Sequence, residues 1–486
     1  MPAGESKPTR ARVHSFRDDA LGRDDAVAIA ARIRSGEISA AEAATASAVR
    51  IREVDPELAA LQYDALDESV AELEEGAAAD GGEPFAGVPS LLKDNADLAG
   101  WPTLHGSRAI EPEPAKRTSA PARQFLELGF TVLGKTTLPE FGLSASTEFV
   151  WREPTRNPWN TAHSAGASSG GSAALVAAGA VPVAHANDGG GSIRIPAAAC
   201  GLVGLKPTRA RTLDRPGARS LPVNLVAEGL LSRSVRDTAH HLAGCEKVYR
   251  NRRLPEVGLV EAPGERRLRI GMVLQSASSS GTGEDLAPEV VATCEQAAVL
   301  LEGLGHEIVP IPLPVGRGFA EDFVLGWGMS AALLSAAALL EHGRHFHPGL
   351  LDPFTRGLAA MWSRRALETP GALARMRRVG AVYDDTFSDL DAVLSPTVGL
   401  PTPELGFLSP ELDFSELLER LTAYAAFTPF NNVGGGPGVS LPFGLLPSGL
   451  PGSIHLSAAR GDERTLLELA YEIEEAAPFP RIEEEG

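Results

Sequence analysis

The segment "HANDGGGSIRIP", residues 185–196, places three consecutive glycines directly before Ser192. Glycine loses more conformational entropy on folding than any other residue, so Gly189, Gly190 and Gly191 weaken a fold unless the backbone needs them. Such a run is typical either of an ordinary turn after a strand or of backbone that lies against another group. The surrounding sequence has to decide between these two interpretations.

The region around this segment, residues 157–207, is rich in glycine, alanine and serine and nearly free of acidic residues. A flexible linker has a similar composition, but a linker does not carry an apolar run such as "AALVAAGAVPVAHA". We therefore predict that this region is packed backbone at the centre of the molecule.

Short apolar runs alternate with helical stretches through the later part of the chain. The strand-like runs include "GFTVLGK", "RLRIGMVL", "HEIVPIPLP", "DAVLSPT" and "GVSLPFG", and helices are predicted at 287–304 and 462–477. Two amphipathic helices are predicted before them, the second with Ser39 and Glu42 spaced as a capping box and with its end at Pro56. The alternation predicts an α/β layered fold.

Composition and charge exclude several classes of protein. The 486 residues are 43% hydrophobic and 22% charged, as in an ordinary globular protein. The 44 basic and 63 acidic residues give a net charge of −19, which opposes binding to nucleic acid or an anionic membrane. Neither a signal peptide nor a membrane-spanning helix is expected. Three scattered cysteines form no disulfide framework or zinc motif, so we predict a cytoplasmic protein with reduced thiols.

Three serines compete for the role of a nucleophile. "GASSG", residues 166–170, matches the α/β-hydrolase elbow with Ser168, but that elbow follows a buried strand and the preceding residues are polar and contain proline. "SLLK", residues 90–93, matches a penicillin-binding-protein motif with Ser90, but its companion motifs are missing. Ser192 ends the glycine turn, where the N–H groups of the glycines and of Ser192 itself can converge on an oxyanion. This arrangement favours Ser192.

Four longer stretches carry a family resemblance: "GVPSLLKDN" at 87–95, "RNPWNTAHSAGASSGGSAALVAAG" at 156–179, "NDGGGSIRIPAAACGLVGLKPTRAR" at 187–211 and "FTPFNNVGGGPGVSLP" at 427–442. Together they resemble the signature of the amidase-signature family of serine hydrolases, over nearly the whole chain. Within the family, "RNPWN", "VAHAND" and "GLVGLKPTRAR" are most similar to the nylon-oligomer cyclic-dimer hydrolases and related amidases, some of which hydrolyse urethanes.

The resemblance implies a fold and a reaction. The fold is a large mixed central β-sheet covered by helices on both faces, in one domain of residues 1–486 with a helical N-terminal segment at 1–60 and a catalytic core region at 85–211. The reaction is hydrolysis of a carbon–nitrogen bond in an amide, with carbamates as a second class, and no cofactor is implied. We expect a small-molecule partner and a homodimer. The alternative is the amidase subunit of a tRNA-linked glutamine amidotransferase complex.

The resemblance also assigns the catalytic residues. The family's lysine falls on Lys93, its bridging serine on Ser168 and its nucleophile on Ser192, with a cis peptide bond between Ala167 and Ser168. A lysine accepts a proton at neutral pH only if its pKa is lowered, which burial among apolar neighbours achieves. The resemblance therefore predicts a proton relay from Ser192 through Ser168 to Lys93, without a histidine.

The residues that flank the predicted nucleophile are expected to shape its surroundings. Asp188 and Arg194 are predicted to hold the glycine turn by an ion pair or by backbone hydrogen bonds. The family usually has glycine at the position of Ala167, and a hydroxyl residue or another side chain at the positions of Asn187 and Gly189. These departures affect the expected substrate preference more than catalysis.

A histidine-rich segment, "EHGRHFHPG", raises the possibility of a metal site. Its three histidines, His342, His345 and His347, have no zinc-motif spacing and follow a helix-like alanine–leucine run. We therefore predict solvent-exposed histidines at a helix end and no metal.

Overall fold

A computed structural model describes residues 12–76, 82–215, 223–275 and 286–484. The first part of the predicted N-terminal helical segment, residues 1–11, lies outside the described residues. The description of the chain as one domain with a catalytic core region stays a prediction.

Thirteen strands lie within the described residues: β1 (Leu61–Asp64), β2 (Pro89–Lys93), β3 (Thr131–Thr136), β4 (Arg156–Asn157), β5 (Asn160–Ser164), β6 (Val183–Asp188), β7 (Val203–Lys206), β8 (Ala227–Ser232), β9 (Arg269–Met272), β10 (Glu307–Pro310), β11 (Ala392–Ser395), β12 (Gly438–Leu445) and β13 (Pro451–Ala458). Each of the five strand-like runs singled out in the sequence overlaps one of these strands, so those predictions are confirmed.

Fourteen α-helices lie in the same described ranges: α1 (Ala26–Ser35), α2 (Ala40–Leu58), α3 (Leu66–Glu74), α4 (Ala120–Leu126), α5 (Gly170–Ala177), α6 (Arg194–Cys200), α7 (Val235–Val248), α8 (Pro288–Gly303), α9 (Arg317–His342), α10 (Pro353–Arg364), α11 (Thr369–Thr386), α12 (Phe414–Tyr424), α13 (Pro429–Gly434) and α14 (Glu463–Ala476). The helices predicted at 287–304 and 462–477 correspond to α8 and α14.

The predicted capping box at the start of α2 is confirmed. The Ser39 side chain accepts a hydrogen bond from the Glu42 N–H, and the Glu42 carboxylate accepts one from the Ser39 N–H. The predicted end at Pro56 is wrong, because α2 continues to Leu58. Asp55 holds the helix beyond the proline, because its carbonyl accepts from the Ala59 N–H and its carboxylate accepts from the Ala60 and Leu61 N–H groups.

The central sheet has eight strands in the order β10-β9-β11-β13-β12-β7-β8-β6. Its first three strands are parallel and the remaining pairs are antiparallel, so the predicted mixed sheet is confirmed. Apolar side chains of β7, β12 and β13 pack with α7, α8 and α14 on one face. α6 covers the other face, where Gly204 makes room because a Cβ there would clash with Ala197.

The region predicted to be packed backbone is packed at the centre. Every residue from 157 to 207 is buried or half-buried, and all eight residues of α5 are buried. A smaller sheet, β1-β3-β2, lies beside the central one, with the Ser90 hydroxyl in β2 donating to the Val183 carbonyl in β6 at 2.9 Å. This contact buries Ser90 completely and argues against Ser90 as a nucleophile.

The expectation that no helix is apolar enough to span a membrane is wrong. In α9 and the residues just after it, Gly318–His345 has the length and hydropathy of a spanning helix, and residues 323–340 carry no charge. In the structure α9 instead packs beside α10 and α11. Many of its apolar residues line the cavity that is described in the next subsection.

Candidate active site

A cavity of about 560 Å³ opens between the central sheet and α9. The predicted site residues Ser168, Ser192, Gly189 and Gly190 all line it, together with Asn187. Its volume is in the range of small-molecule sites, and most of its lining is apolar with a few polar groups, as is usual for such sites. The sequence motifs from β2, the α5 N-terminus and the end of β6 therefore meet at one place.

The Lys93 side chain lies at the end of β2 and is fully buried. Its Nζ is 2.7 Å from Ser168 Oγ, 2.9 Å from Ser169 Oγ and 3.0 Å from Asn187 Oδ1. The peptide bond between Ala167 and Ser168 is cis, as the resemblance implies. The structure therefore brings the predicted lysine and the predicted bridging serine into direct contact.

The partners of Lys93 differ in what they can donate. The Ser169 hydroxyl gives its proton to the Ser192 carbonyl at 2.6 Å, and Asn187 Oδ1 is a carbonyl oxygen, so both can only accept from Nζ. Of the three groups that contact Lys93 Nζ, only the Ser168 hydroxyl is therefore free to donate a hydrogen bond to a neutral lysine. A neutral amine with two donors and one acceptor fits this arrangement.

The electrostatic surroundings also favour a neutral lysine. Burial lowers the pKa of Lys93 well below its ordinary value and the nearby Arg215 guanidinium lowers it further, while Glu228 and Asp188 act in the opposite direction. Another buried lysine, Lys206, bonds to the Pro207 carbonyl instead of a serine. A third buried lysine, Lys135, contacts the Thr103 hydroxyl at 2.6 Å and pairs with the Asp94 carboxylate at 2.9 Å, away from the cavity lining. Of these three buried lysines, Lys93 is therefore the one that contacts a serine hydroxyl lining the cavity.

The three glycines of the turn have different roles. Gly191 is the one with a positive φ, 134°, and a Cβ there would overlap the Thr428 side chain. At Gly190 a Cβ would lie 3.1 Å from the Phe323 ring, so a larger residue would narrow the cavity. The backbone therefore needs glycine at Gly191, whereas Gly189 and Gly190 leave space in front of Ser192.

The N–H groups of the turn also differ. The Gly191 N–H donates to Asp188 Oδ1 at 2.7 Å and is occupied by that bond. No hydrogen bond joins the N–H groups of Gly189, Gly190 or Ser192 to another described residue. These three N–H groups are therefore the candidate donors to an oxyanion.

The ion pair between Asp188 and Arg194 holds the turn, and both side chains are fully buried. Arg194 Nε is 2.9 Å from Asp188 Oδ2, and Asn432 donates to the same carboxylate at 2.9 Å. Burial alone would raise the pKa of Asp188, but Arg194 outweighs it and keeps the pKa well below the ordinary aspartate value. The ion pair and the Asn432 contact, which comes from the 427–442 stretch, both hold the Asp188 carboxylate beside the turn.

Several polar residues at the site were missed in the sequence. Asn95 and Asn187 form an amide pair, since Asn187 Nδ2 donates to Asn95 Oδ1 at 2.9 Å. Arg215 donates to Asn95 Oδ1 at 2.8 Å and to Glu228 Oε1 at 2.9 Å. Asn95, Ser169 and Asn187 stand within the quoted motifs, although no role was predicted for their side chains; Arg215 and Glu228 are brought here by folding.

The histidine-rich segment does not line this cavity. His345 and His347 are paired with the Glu111 carboxylate, at 2.6 and 2.7 Å. Among the residues that the structure describes, no three histidine, cysteine or acidic side chains are grouped to hold a metal ion. Cys200, Cys245 and Cys294 are buried and unpaired.

Comparison with known proteins agrees with the geometry. The family described as Amidase matches residues 42–467. The chain is 46% identical to "Putative amidase AmiC" of Mycobacterium tuberculosis over 97% of this chain and 98% of that protein. It is 34% identical to 6-aminohexanoate-cyclic-dimer hydrolase of Paenarthrobacter ureafaciens, covering 94% and 95%. It is 31% identical to a glutamyl-tRNA(Gln) amidotransferase subunit of Nitratidesulfovibrio vulgaris, covering 91% and 94%.

The fold is shared with a solved structure of 6-aminohexanoate cyclic dimer hydrolase in complex with its substrate. The TM-score is 0.82 at 30% sequence identity, with 95% of this chain and 98% of that chain covered. The chain therefore belongs to the amidase signature family and is a hydrolase of carbon–nitrogen bonds in non-peptide amides.

Proposed function

We propose that this protein hydrolyses amides through an acyl-enzyme formed on Ser192, with Ser168 and Lys93 as the proton relay. The observation that carries the proposal is the contact of a buried Lys93 Nζ with Ser168 Oγ at 2.7 Å, beside the glycine turn that ends in Ser192. A neutral lysine there can take up a proton that a serine nucleophile must lose.

Acylation begins when Ser192 Oγ attacks the amide carbonyl carbon. The Ser192 proton passes to Ser168 Oγ while the Ser168 proton passes to Lys93 Nζ. The oxyanion forms in front of the N–H groups of Gly189, Gly190 and Ser192, which make no other hydrogen bond among the described residues. The carbon–nitrogen bond then breaks, and Ser168 returns a proton to the leaving nitrogen.

Deacylation uses the same relay with water as the nucleophile. Water attacks the ester on Ser192 and gives up a proton toward Ser168 and Lys93. The tetrahedral intermediate collapses, the Ser192 oxygen regains a proton, and the carboxylic acid leaves. No metal or cofactor is needed to balance these steps.

We extend the proposal to carbamates. Attack on an O-alkyl carbamate gives an alkoxycarbonyl-enzyme and a free amine, so the same relay to nitrogen applies. Ala167, Gly189 and Gly190 are small and line the cavity, which leaves room for an alkoxy group. The test is kcat/KM for an anilide and an O-alkyl carbamate that share one aniline. An amide preference above about 10⁴-fold would show that the carbamate is excluded.

Labelling with a fluorophosphonate tests the nucleophile. We expect the purified chain to be labelled at Ser192, and Ser192→Ala to lose labelling and turnover by several orders of magnitude while keeping its fold. Ser335→Ala, on α9 outside the cavity lining, is the matched control and should be labelled normally. An unlabelled and inactive wild-type chain would favour the amidotransferase subunit instead.

A further inference from the structure

One face of α9 forms a continuous apolar wall of the cavity. Its lining residues recur at the helical spacing of three and four, so they lie on one side of the helix. Phe319, Phe323, Trp327, Ser330 and Leu334 follow this spacing, and we call these five residues the helix wall. The cavity is also lined by six neighbouring residues of α9: Ala320, Val324, Gly326, Met329, Leu333 and Ala337. At 1.5 Å per residue this wall is about 22 Å long.

The helix wall starts at the reacting centre. The Phe323 ring lies against the glycine turn, since a Cβ on Gly190 would be only 3.1 Å from it. Phe319 and Trp327 flank Phe323, with ring centroids 6.4 Å away on each side. A substituent on a carbonyl held at Ser192 therefore meets aromatic rings first.

The helix wall ends near the surface without meeting a charge. Leu333 and Leu334, which both line the cavity, are 45% and 40% exposed. Residues 323–340 contain no charged side chain. The charged residues that line the cavity, Asp214, Arg215 and Glu228, belong to another segment of the chain. An apolar group can therefore extend along α9 without desolvating an ion of this helix.

For the acyl-transfer reaction proposed above, and only if that reaction operates, we infer that the substrate carries an extended, uncharged apolar group on one side of the scissile bond, which lies along the helix wall. Burial of such a group contributes about fourfold in kcat/KM for each methylene. The cavity volume of about 560 Å³ accommodates a group of several carbons.

The experiment is a chain-length series in two arms. The first arm uses 4-nitroanilides of acetic, butyric, hexanoic and octanoic acids, and the second uses N-alkyl acetamides of the same lengths. We expect kcat/KM to rise steeply with length in one arm, which identifies the side of the bond that faces the wall. The inference would be overturned if kcat/KM did not change with chain length in either arm. It would also be overturned if a chain that ends in a charged group gave a higher kcat/KM than an uncharged chain of the same length.

A matched pair of variants tests the wall itself. Ser330 and Ser335 each donate to a carbonyl one helical turn earlier, but only Ser330 lines the cavity. Ser330→Phe should reduce the octanoate-to-acetate ratio of kcat/KM by at least about tenfold, the value of roughly two buried methylenes. Ser335→Phe should leave that ratio unchanged. An equal change in both variants would contradict the assignment.

Binding to Ser192→Ala separates this inference from the proposed reaction. The variant lacks the nucleophile, so affinity for the uncleaved anilides can be measured by calorimetry. Affinity that rises with chain length supports the wall even if another residue proves to be the nucleophile. Affinity that is independent of chain length overturns the inference, even if Ser192 is confirmed as the nucleophile.

Discussion

The two walls of the cavity are built by different forces. On the sheet side, Ser168, Asn187 and Ser192 line the cavity, and the buried Lys93 and Ser169 lie directly behind them; we call these five residues the sheet wall. Hydrogen bonds of 2.7 to 3.0 Å join Lys93 Nζ to the side chains of Ser168, Ser169 and Asn187, and the Ser169 hydroxyl donates to the Ser192 carbonyl at 2.6 Å. The helix wall has aromatic and aliphatic side chains, and its outer end is exposed.

This difference between the two walls separates the residues that carry out the reaction from those that select the substrate. Hydrogen bonds are directional, so the sheet wall can hold a proton path in one geometry. Apolar contact depends on area and not on direction, so the helix wall can accept different groups of similar polarity. Changes to the sheet wall should therefore alter turnover and its pH dependence, and changes to the helix wall should alter preference among substrates.

The largest expected effect is on the sheet wall. Lys93→Met keeps an unbranched side chain but removes the proton acceptor, and we expect kcat/KM for an anilide to fall about 10³- to 10⁴-fold. The control is Lys206→Met, which changes a buried lysine that contacts the Pro207 carbonyl and no serine. Retention of more than a tenth of the wild-type activity in Lys93→Met would break the distinction between the walls.

The support beneath the sheet wall should matter for stability. Asp188→Asn leaves the buried Arg194 without its counter-charge, which typically costs about 3–5 kcal/mol of unfolding free energy, measured by urea denaturation. The folded state lowers the pKa of Asp188. The contribution of the Asp188 carboxylate to the unfolding free energy is therefore full above about pH 4 and is lost as the pH falls toward the lowered pKa. The difference between wild type and variant should therefore narrow in acid.

An exposed ion pair provides the comparison for that variant. Asp384 pairs with Arg460 at the surface, where the Asp384 side chain is 49% exposed and the Arg460 side chain 41%. Asp384→Asn should change the unfolding free energy by less than about 1 kcal/mol. Equal losses in the two variants would show that the ion pair at the turn has no special role.

A smaller effect is expected where the sheet wall meets Arg215. Burial lowers the pKa of Lys93 most, and Arg215 lowers it further. Arg215→Gln removes that positive charge and takes the guanidinium partner from Glu228, which keeps His185 beside its other oxygen; both changes favour the protonated lysine. The acid limb of the kcat/KM profile should therefore move to higher pH. Arg215→Lys keeps the charge and should move it less; a shift to lower pH in Arg215→Gln would contradict the assignment.

The smallest effect concerns the outer side of α9. Leu340 is 87% exposed and does not line the cavity. Leu340→Gln should change the unfolding free energy by no more than about 0.5 kcal/mol, and the chain-length dependence of kcat/KM should stay the same. A change in that dependence would mean that selection extends beyond the helix wall.

Local signals in the sequence predicted much of the fold. Strand-like runs and the Ser39 capping box correspond to observed elements because their determinants lie within a few residues of each other. The end predicted at Pro56 failed because hydrogen bonds to the carbonyl and carboxylate of Asp55 hold the chain in the helix as far as Leu58. The apolar residues of α9 form the helix that their alanine–leucine run predicts. The uncharged stretch at 323–340 is longer than was expected when no membrane-spanning helix was predicted.

By itself the sequence determined the glycine turn, the identities of Lys93, Ser168 and Ser192, and the family to which they point. Only the tertiary structure decided that Arg215 and Glu228 lie behind the Asn95–Asn187 pair, and that α9 faces Ser192 across the cavity. The physical reason is the distance along the chain between the residues that interact. Turn chemistry and capping depend on neighbours along the chain, whereas burial, which sets the lysine pKa and selects apolar groups, depends on which distant segments pack together.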